Sequence, residues 1–240
     1  MSALALHINR LCKSYGKAVA LAEVSLDIAA GEFFGLVGAN GAGKTTLVKC
    51  ALDFCDIQSG SISIFGTPHQ DTVARSRIAF LPERFMPPHY LSGRDFLRYL
   101  AELHQQRYEE TRARAMLESL ELDAAALDKP ARAYSKGMTQ KLGLAACLLS
   151  AKDLLILDEP TSGLDPKARA LLKRELRRQH ESGKTVVMTT HALHDVGEMC
   201  GRMAVVDRGR LLFAGTPAEF VRHHDAADLE QAYLACVAAH

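Results

Sequence analysis

Residues 33–46 read Phe33-Phe34-Gly35-Leu36-Val37-Gly38-Ala39-Asn40-Gly41-Ala42-Gly43-Lys44-Thr45-Thr46. The first five form an almost continuous apolar run, the pattern of a strand buried on both faces of a parallel sheet. The next eight match G-x-x-x-x-G-K-[ST], and a helix is expected to start near Thr46. The glycines let backbone N–H groups close around phosphate oxygens, and the helix N-terminus adds its positive end. In that setting Lys44 is expected to hold the β- and γ-phosphates of a nucleotide and Thr45 to ligate Mg2+. Asn40, Gly41, Ala42, Gly43 and Thr46 complete the expected cradle. A buried strand, this loop and a helix in succession point to an α/β fold.

Working outward, Leu154–Leu157 and Val186–Thr190 repeat the continuous apolar pattern and are expected to join Phe33–Val37 in a mainly parallel central sheet. Leu4, Leu6 and Ile8, then Val24, Leu26 and Ile28, then Ile62 and Ile64 alternate with other residues, which suggests a half-exposed antiparallel sheet. From about Pro87 to Ser150 the strand signals stop. Helical spacing takes over in Phe96, Leu97, Leu100 and Leu103, and again in Met116, Leu117 and Leu120. Pro87-Pro88 and Asp128-Lys129-Pro130 are natural breaks between elements. A helix carrying Leu171, Leu172 and Leu176 is expected to end at Gly183, and Asp207-Arg208-Gly209 reads as the turn of a hairpin.

The strand Leu154–Leu157 ends in two acids, Asp158 and Glu159. Phosphoryl transfer to water needs two carboxylate functions, one in the Mg2+ shell and one to polarise the attacking water, and these are the expected roles of Asp158 and Glu159.

Tyr134-Ser135-Lys136-Gly137-Met138-Thr139-Gln140-Lys141 resembles the signature loop of ABC ATPases, commonly written L-S-G-G-Q. Asp158-Glu159-Pro160-Thr161-Ser162-Gly163-Leu164-Asp165, followed by Thr189-Thr190-His191, is similar to that family's Walker B, D-loop and switch histidine in the same order. The resemblance covers essentially the whole chain. It implies one ABC ATPase domain with a RecA-like P-loop NTPase core (1–86 and 151–240), an N-terminal antiparallel β subdomain, and an inserted α-helical subdomain (87–150) carrying the signature. It further implies that Tyr15 stacks on adenine with Val19 beside it, and that His191 contacts the γ-phosphate. Ser135 and Gly137 would contact the γ-phosphate of ATP held by a second copy in a head-to-tail dimer, and Asp165 would help join the two. The stretch Arg84–Leu91, with Phe96 and Tyr99, would receive a short helix of an integral membrane permease; the other reading is that its aromatics fill the lobe's own core.

The sequence departs from the family at Tyr134, Lys136 and Met138, and this S-K-G-M version resembles cassettes serving ABC-2-type exporters. Glu83 stands where many members carry the Q-loop glutamine. A carboxylate can accept from metal-bound water or ligate Mg2+ directly, and both roles stay open. The expected function is ATP hydrolysis driving export through a separate permease, with the chain in the cytoplasm, attached peripherally to the inner face of the membrane. The alternative is a soluble ABC ATPase with a mechanical or regulatory role. A kinase or GTPase would leave Ser135–Gly137 and His191 unexplained.

Composition agrees with this reading. Among 240 residues, 48% apolar content can fill a sizeable core, and 29 basic against 28 acidic residues (net charge +1) exert no long-range pull on nucleic acid, so none is expected as a partner. No apolar run reaches the roughly 20 residues of a membrane-spanning helix, and the start of the chain does not read as a signal peptide. The six cysteines are scattered without a C-x-x-C pair and read as reduced thiols; Cys50 and Cys55 lack further ligands at zinc spacing.

Overall fold

The computed structural model describes residues 3–239. The chain opens with a long antiparallel hairpin, β1 (Leu4–Tyr15) and β2 (Ala18–Ala29), followed by β3 (Phe33–Val37) and α1 (Lys44–Ala51). Next come β4 (Ser59–Ile64), β5 (Thr67–Pro68), α2 (Thr72–Arg75) and β6 (Ile78–Leu81). Three helices succeed them: α3 (Gly93–Leu103), α4 (Glu110–Ser119) and α5 (Lys136–Leu149). The chain then returns to β7 (Leu154–Asp158), α6 (Pro166–Glu181), β8 (Thr185–Thr190), α7 (Leu193–Met199), β9 (Arg202–Asp207) and β10 (Arg210–Gly215). It ends with α8 (Pro217–His223) and α9 (Leu229–Ala238).

Two sheets result. One is antiparallel, in the order β2-β1-β4-β5; the other runs β10-β9-β3-β8-β7-β6, parallel throughout except for β10. Strand alternation divides the core between them. Phe34 and Leu36 of β3 pack with Leu6, Ile8, Val24 and Ile28 in the space between the sheets. Phe33 and Val37 face the other way, into a core shared with Met188 of β8 and with Leu117, Leu142 and Leu172 of the helices. Every residue of β3, β7 and β8 is buried, and each such large apolar side chain stabilises the fold by about 1.5–3 kcal/mol.

The loop after β3 is clamped from above. Arg208 (φ 45) and Gly209 (φ 76) form the tight β9–β10 turn. Gly209 N–H donates to Ala42 O at 2.9 Å, and Gly209 O accepts from Ala22 N–H at 2.8 Å. A Cβ at Gly43 (φ 113) or at Gly209 would lie 2.8 or 2.6 Å from Ala20 O. Only glycine fits at either position, and the loop is thereby pinned between β2 and the turn.

The aromatic stretch after β6 divides. Phe96 is buried, and Phe85 is half-buried against it with ring centroids 5.6 Å apart. A Cβ at Gly143 of α5 would approach Phe85 Cδ1 to 2.6 Å, so the two aromatics fill the lobe and do not form a surface. Met86, Tyr90 and Tyr99 are exposed. Leu103, expected on the apolar face of its helix, is also exposed because α3 ends there, past the edge of the lobe core.

Candidate functional site

A cleft of about 300 Å3 lies over the loop between β3 and α1. It is lined by Ala39, Asn40, Gly41 and Gly43 of the loop, by Lys44, Thr45 and Thr46 of the first turn of α1, and by Ala20, Glu83 and Glu159. Lys44 is buried, and its ammonium donates to Gly38 O at 2.6 Å and Ala39 O at 3.2 Å. Those carbonyls offset much of the cost of removing the charge from water.

The two carboxylates are set by one threonine. Parallel pairing of β7 with β8 places Asp158 opposite Thr189. The Thr189 hydroxyl donates to Asp158 Oδ1 at 2.5 Å and accepts from Glu159 N–H at 3.0 Å. Asp158 Oδ2 accepts from Thr45 Oγ1 at 3.2 Å. Glu159 then leaves the strand in the left-handed conformation, at φ 48. For a non-glycine residue this costs on the order of 1–3 kcal/mol. The Thr189 carbonyl, accepting the same N–H at 3.2 Å, helps to hold it there. The turn swings the Glu159 side chain into the cleft, with Oε1 3.6 Å from Lys44 Nζ and Oε2 2.9 Å from His191 Nδ1. Oε1 is buried and makes no hydrogen bond.

These groups fit MgATP. The loop is open where Gly41 takes φ 84, with nothing within 4 Å of a Cβ position, and Lys44 supplies a cation beside it. Thr45, Asp158 and Glu83 offer the hard oxygen donors that suit Mg2+. Glu159 lines the cleft, and its buried Oε1 is an acceptor without a donor of its own.

Other expected residues lie elsewhere. Tyr15 and Val19 sit exposed at the tip of the β1–β2 hairpin, outside the lining of the cleft, with the Tyr15 hydroxyl donating to Cys55 Sγ at 3.7 Å. Ser135 caps α5 by accepting from Met138 N–H at 3.2 Å, and Gly137 is in that helix's first turn. Asp165 caps α6, accepting from Ala168 N–H at 2.9 Å, and this bond holds its carboxyl below the usual range. None of these three lines this chain's own cleft. Ala42, within the loop, is buried and does not line the cleft. Tyr134, in place of the family's leucine, anchors the stretch by donating to Ala126 O at 2.5 Å.

A buried network behind the site escaped the sequence reading. Thr161 Oγ1 donates to Asp195 Oδ2 at 2.9 Å, and Lys173 Nζ bridges Asp195 Oδ1 and Glu198 Oε2 at 2.6 Å each. Burial opposes the charge on Lys173, but the bonds to both acids outweigh it and hold its titration above the ordinary value. The three-residue spacing of Asp195 and Glu198 on α7 was the available signal.

Residues 21–162 match the family model described as ABC transporter. The chain belongs to the ABC transporter family. It is 35% identical over 238 residues to the Nod factor export ATP-binding protein I of Sinorhizobium fredii, spanning 97% of this chain and 68% of that protein. A solved ATP-binding subunit of an ABC transporter superposes with a TM-score of 0.91 at 28% identity, covering 97% of this cassette and 99% of that chain. A dimeric ATP-binding cassette in a post-hydrolysis state, bound to ADP and Pi, shares the fold with a TM-score of 0.81 at 23% identity over 88% of this chain and 98% of its own. The chain is thus a nucleotide-binding P-loop cassette. Among the described residues, no helix is long and apolar enough to cross a membrane.

Proposed function

We propose that this cassette hydrolyses ATP as a head-to-tail dimer and drives export through a separate integral membrane permease, to whose cytoplasmic side it attaches. The convergence of Lys44 and His191 on the Glu159 carboxylate carries this reading. Lys44 and the loop N–H groups bind the β- and γ-phosphates. Thr45 and Asp158 would hold Mg2+, with Glu83 as a direct ligand or through water; the ion supplies charge neutralisation at the β- and γ-oxygens. Glu159 accepts a proton from water as the water oxygen attacks the γ-phosphorus and the bond to the β–γ bridging oxygen breaks. Its left-handed backbone and the Thr189 bonds fix the carboxylate before reaction, so little reorganisation is needed. His191 orients that carboxylate and meets the γ-phosphate.

Ser135 and Gly137 are assigned to the partner copy's nucleotide, and Asp165 to the junction between the two copies. Their position away from this chain's cleft supports that reading, as does the dimeric state of the ADP- and Pi-bound relative in fold. Tyr15 and Val19 provide an exposed platform for adenine. We further assign 87–150 to a helical subdomain and 1–86 with 151–240 to the core. Export is supported by the name of the Sinorhizobium relative.

Glu159→Gln tests the assignment: the amide keeps the shape and loses the charge that polarises water. The variant is expected to bind MgATP normally, lose at least about a hundredfold in hydrolysis, and accumulate as an ATP-dependent dimer in gel filtration. Wild-type turnover in this variant would remove Glu159 from the mechanism.

A further inference from the structure

The helix that begins at Lys44 ends in a sharp reversal. Asp53 takes the left-handed conformation at φ 58. Its N–H donates to Cys50 O at 3.1 Å, and Phe54 N–H donates to Lys49 O at 2.9 Å, so the chain folds back on the helix end. The Arg75 guanidinium holds Asp53 Oδ2 at 2.9 Å and fixes the reversal. Residue 55 therefore returns beside residue 50, and the Cys50 and Cys55 sulfurs lie 3.5 Å apart. Cys50 is fully buried among the apolar side chains between the sheets, whereas Cys55 is half-buried at their edge. Burial first, and the contact with Cys55 second, push the Cys50 thiol up to about 12. Cys55 Sγ also accepts from the Tyr15 hydroxyl at 3.7 Å, and Lys13 Nζ sits 5.0 Å from the centre of the Tyr15 ring. Two thiols in contact thus join the phosphate-loop helix to the tyrosine at the tip of the β1–β2 hairpin.

We propose that Cys50 and Cys55 are a peroxide-sensitive dithiol, and that closing it to a disulfide displaces Tyr15 and weakens nucleotide binding. The second half rests on the reading of Tyr15 as the adenine platform. Cys55, the accessible sulfur, attacks hydrogen peroxide as the thiolate; the O–O bond breaks, one oxygen stays as the sulfenic acid, and the other leaves as water. The Cys50 sulfur, already in contact, then attacks the Cys55 sulfur. The S–S bond forms as the S–O bond breaks, and the departing hydroxide takes the Cys50 proton. Two thiols and one peroxide give one disulfide and two waters. Cys50 is fixed in a packed helix, so Cys55 is the partner that moves, drawing its sulfur away from the Tyr15 hydroxyl.

The full chain allows both halves to be read. No lysine or arginine falls between Lys49 and Arg75, so trypsin releases both cysteines in one peptide, 50–75. After hydrogen peroxide treatment and alkylation, mass spectrometry is expected to show this peptide two hydrogens lighter and unlabelled, with two labels regained after dithiothreitol. The affinity of the treated protein for MgATP is expected to fall about fivefold, the loss of one ordinary hydrogen bond, and to recover on reduction. Cys55→Ser keeps a hydroxyl acceptor for Tyr15; its Cys50 should stay alkylatable and its MgATP affinity insensitive to peroxide. A peptide that keeps two labels, or that passes to sulfinic acid without a disulfide, overturns the dithiol. A disulfide with unchanged affinity overturns its link to the nucleotide. Disulfide formation in a protein that binds no MgATP even when reduced would instead sink the functional reading and leave the dithiol standing.

Discussion

Thr189 is the residue on which both carboxylates depend, and Thr189→Val removes its hydroxyl at constant shape. The side chain is fully buried, so no water replaces what is lost. Asp158 Oδ1 loses a hydrogen bond to a charged group, worth about 1.5–3 kcal/mol, and Glu159 N–H keeps only the longer bond to the Thr189 carbonyl. The total is about 3 kcal/mol. For a domain of this size each kcal/mol lowers Tm by about 2–4 °C, which gives a drop of about 6–12 °C by thermal denaturation at neutral pH. Thr189→Ser is the control, since it keeps the hydroxyl and loses only a methyl group, at about 1 kcal/mol. Hydrolysis should follow the same order, because Glu159 is held in its strained conformation partly by this hydroxyl. If Thr189→Val melts no lower than Thr189→Ser and turns over ATP equally fast, the claim that Thr189 sets the two acids is wrong.

Gly143→Ala forces a methyl group against Phe85 and Leu81, and should cost about 1–3 kcal/mol as overpacking, measured by urea denaturation. Glu198 titrates below the ordinary glutamate value of about 4.5, held there by Lys173 first and Arg177 second. Its contribution is therefore fully present above about pH 4.5 and lost as pH falls through its lower folded value, so the Tm gap between wild type and Glu198→Gln should narrow between pH 6 and pH 3. Tyr90→Ala should weaken co-purification with the proposed permease while leaving Tm within about 2 °C, because the side chain is exposed. Phe85→Ala should instead lower Tm, because the ring packs on Phe96.

Architecture was legible in the amino-acid pattern wherever apolar runs and period coincide. The nearly continuous apolar runs at Phe33–Val37, Leu154–Leu157 and Val186–Thr190 are buried parallel strands because a strand covered on both faces buries almost every side chain. The G-x-x-x-x-G-K-T string marked the cleft because its backbone N–H groups can close around phosphates, and Gly43 of the string is the residue that fits beside Ala20 O and the β9–β10 turn. Short elements were illegible. Four residues at Ile78–Leu81 carry no period, yet they form the edge strand that delivers Glu83 to the cleft. Which groups meet followed from the packing of distant segments. Thr189 lies 30 residues beyond Glu159 and reaches it because β7 and β8 pair in parallel register. Lys173, Asp195 and Thr161 carry no joint signal in the sequence, and become one buried network only when α6 and α7 pack against the sheet. Cys50 and Cys55 read as reduced thiols without further ligands at zinc spacing, and a single left-handed residue between them brings the sulfurs into contact. Chain pattern reports what each segment buries, whereas contacts between segments depend on register and turn geometry, which the pattern does not encode.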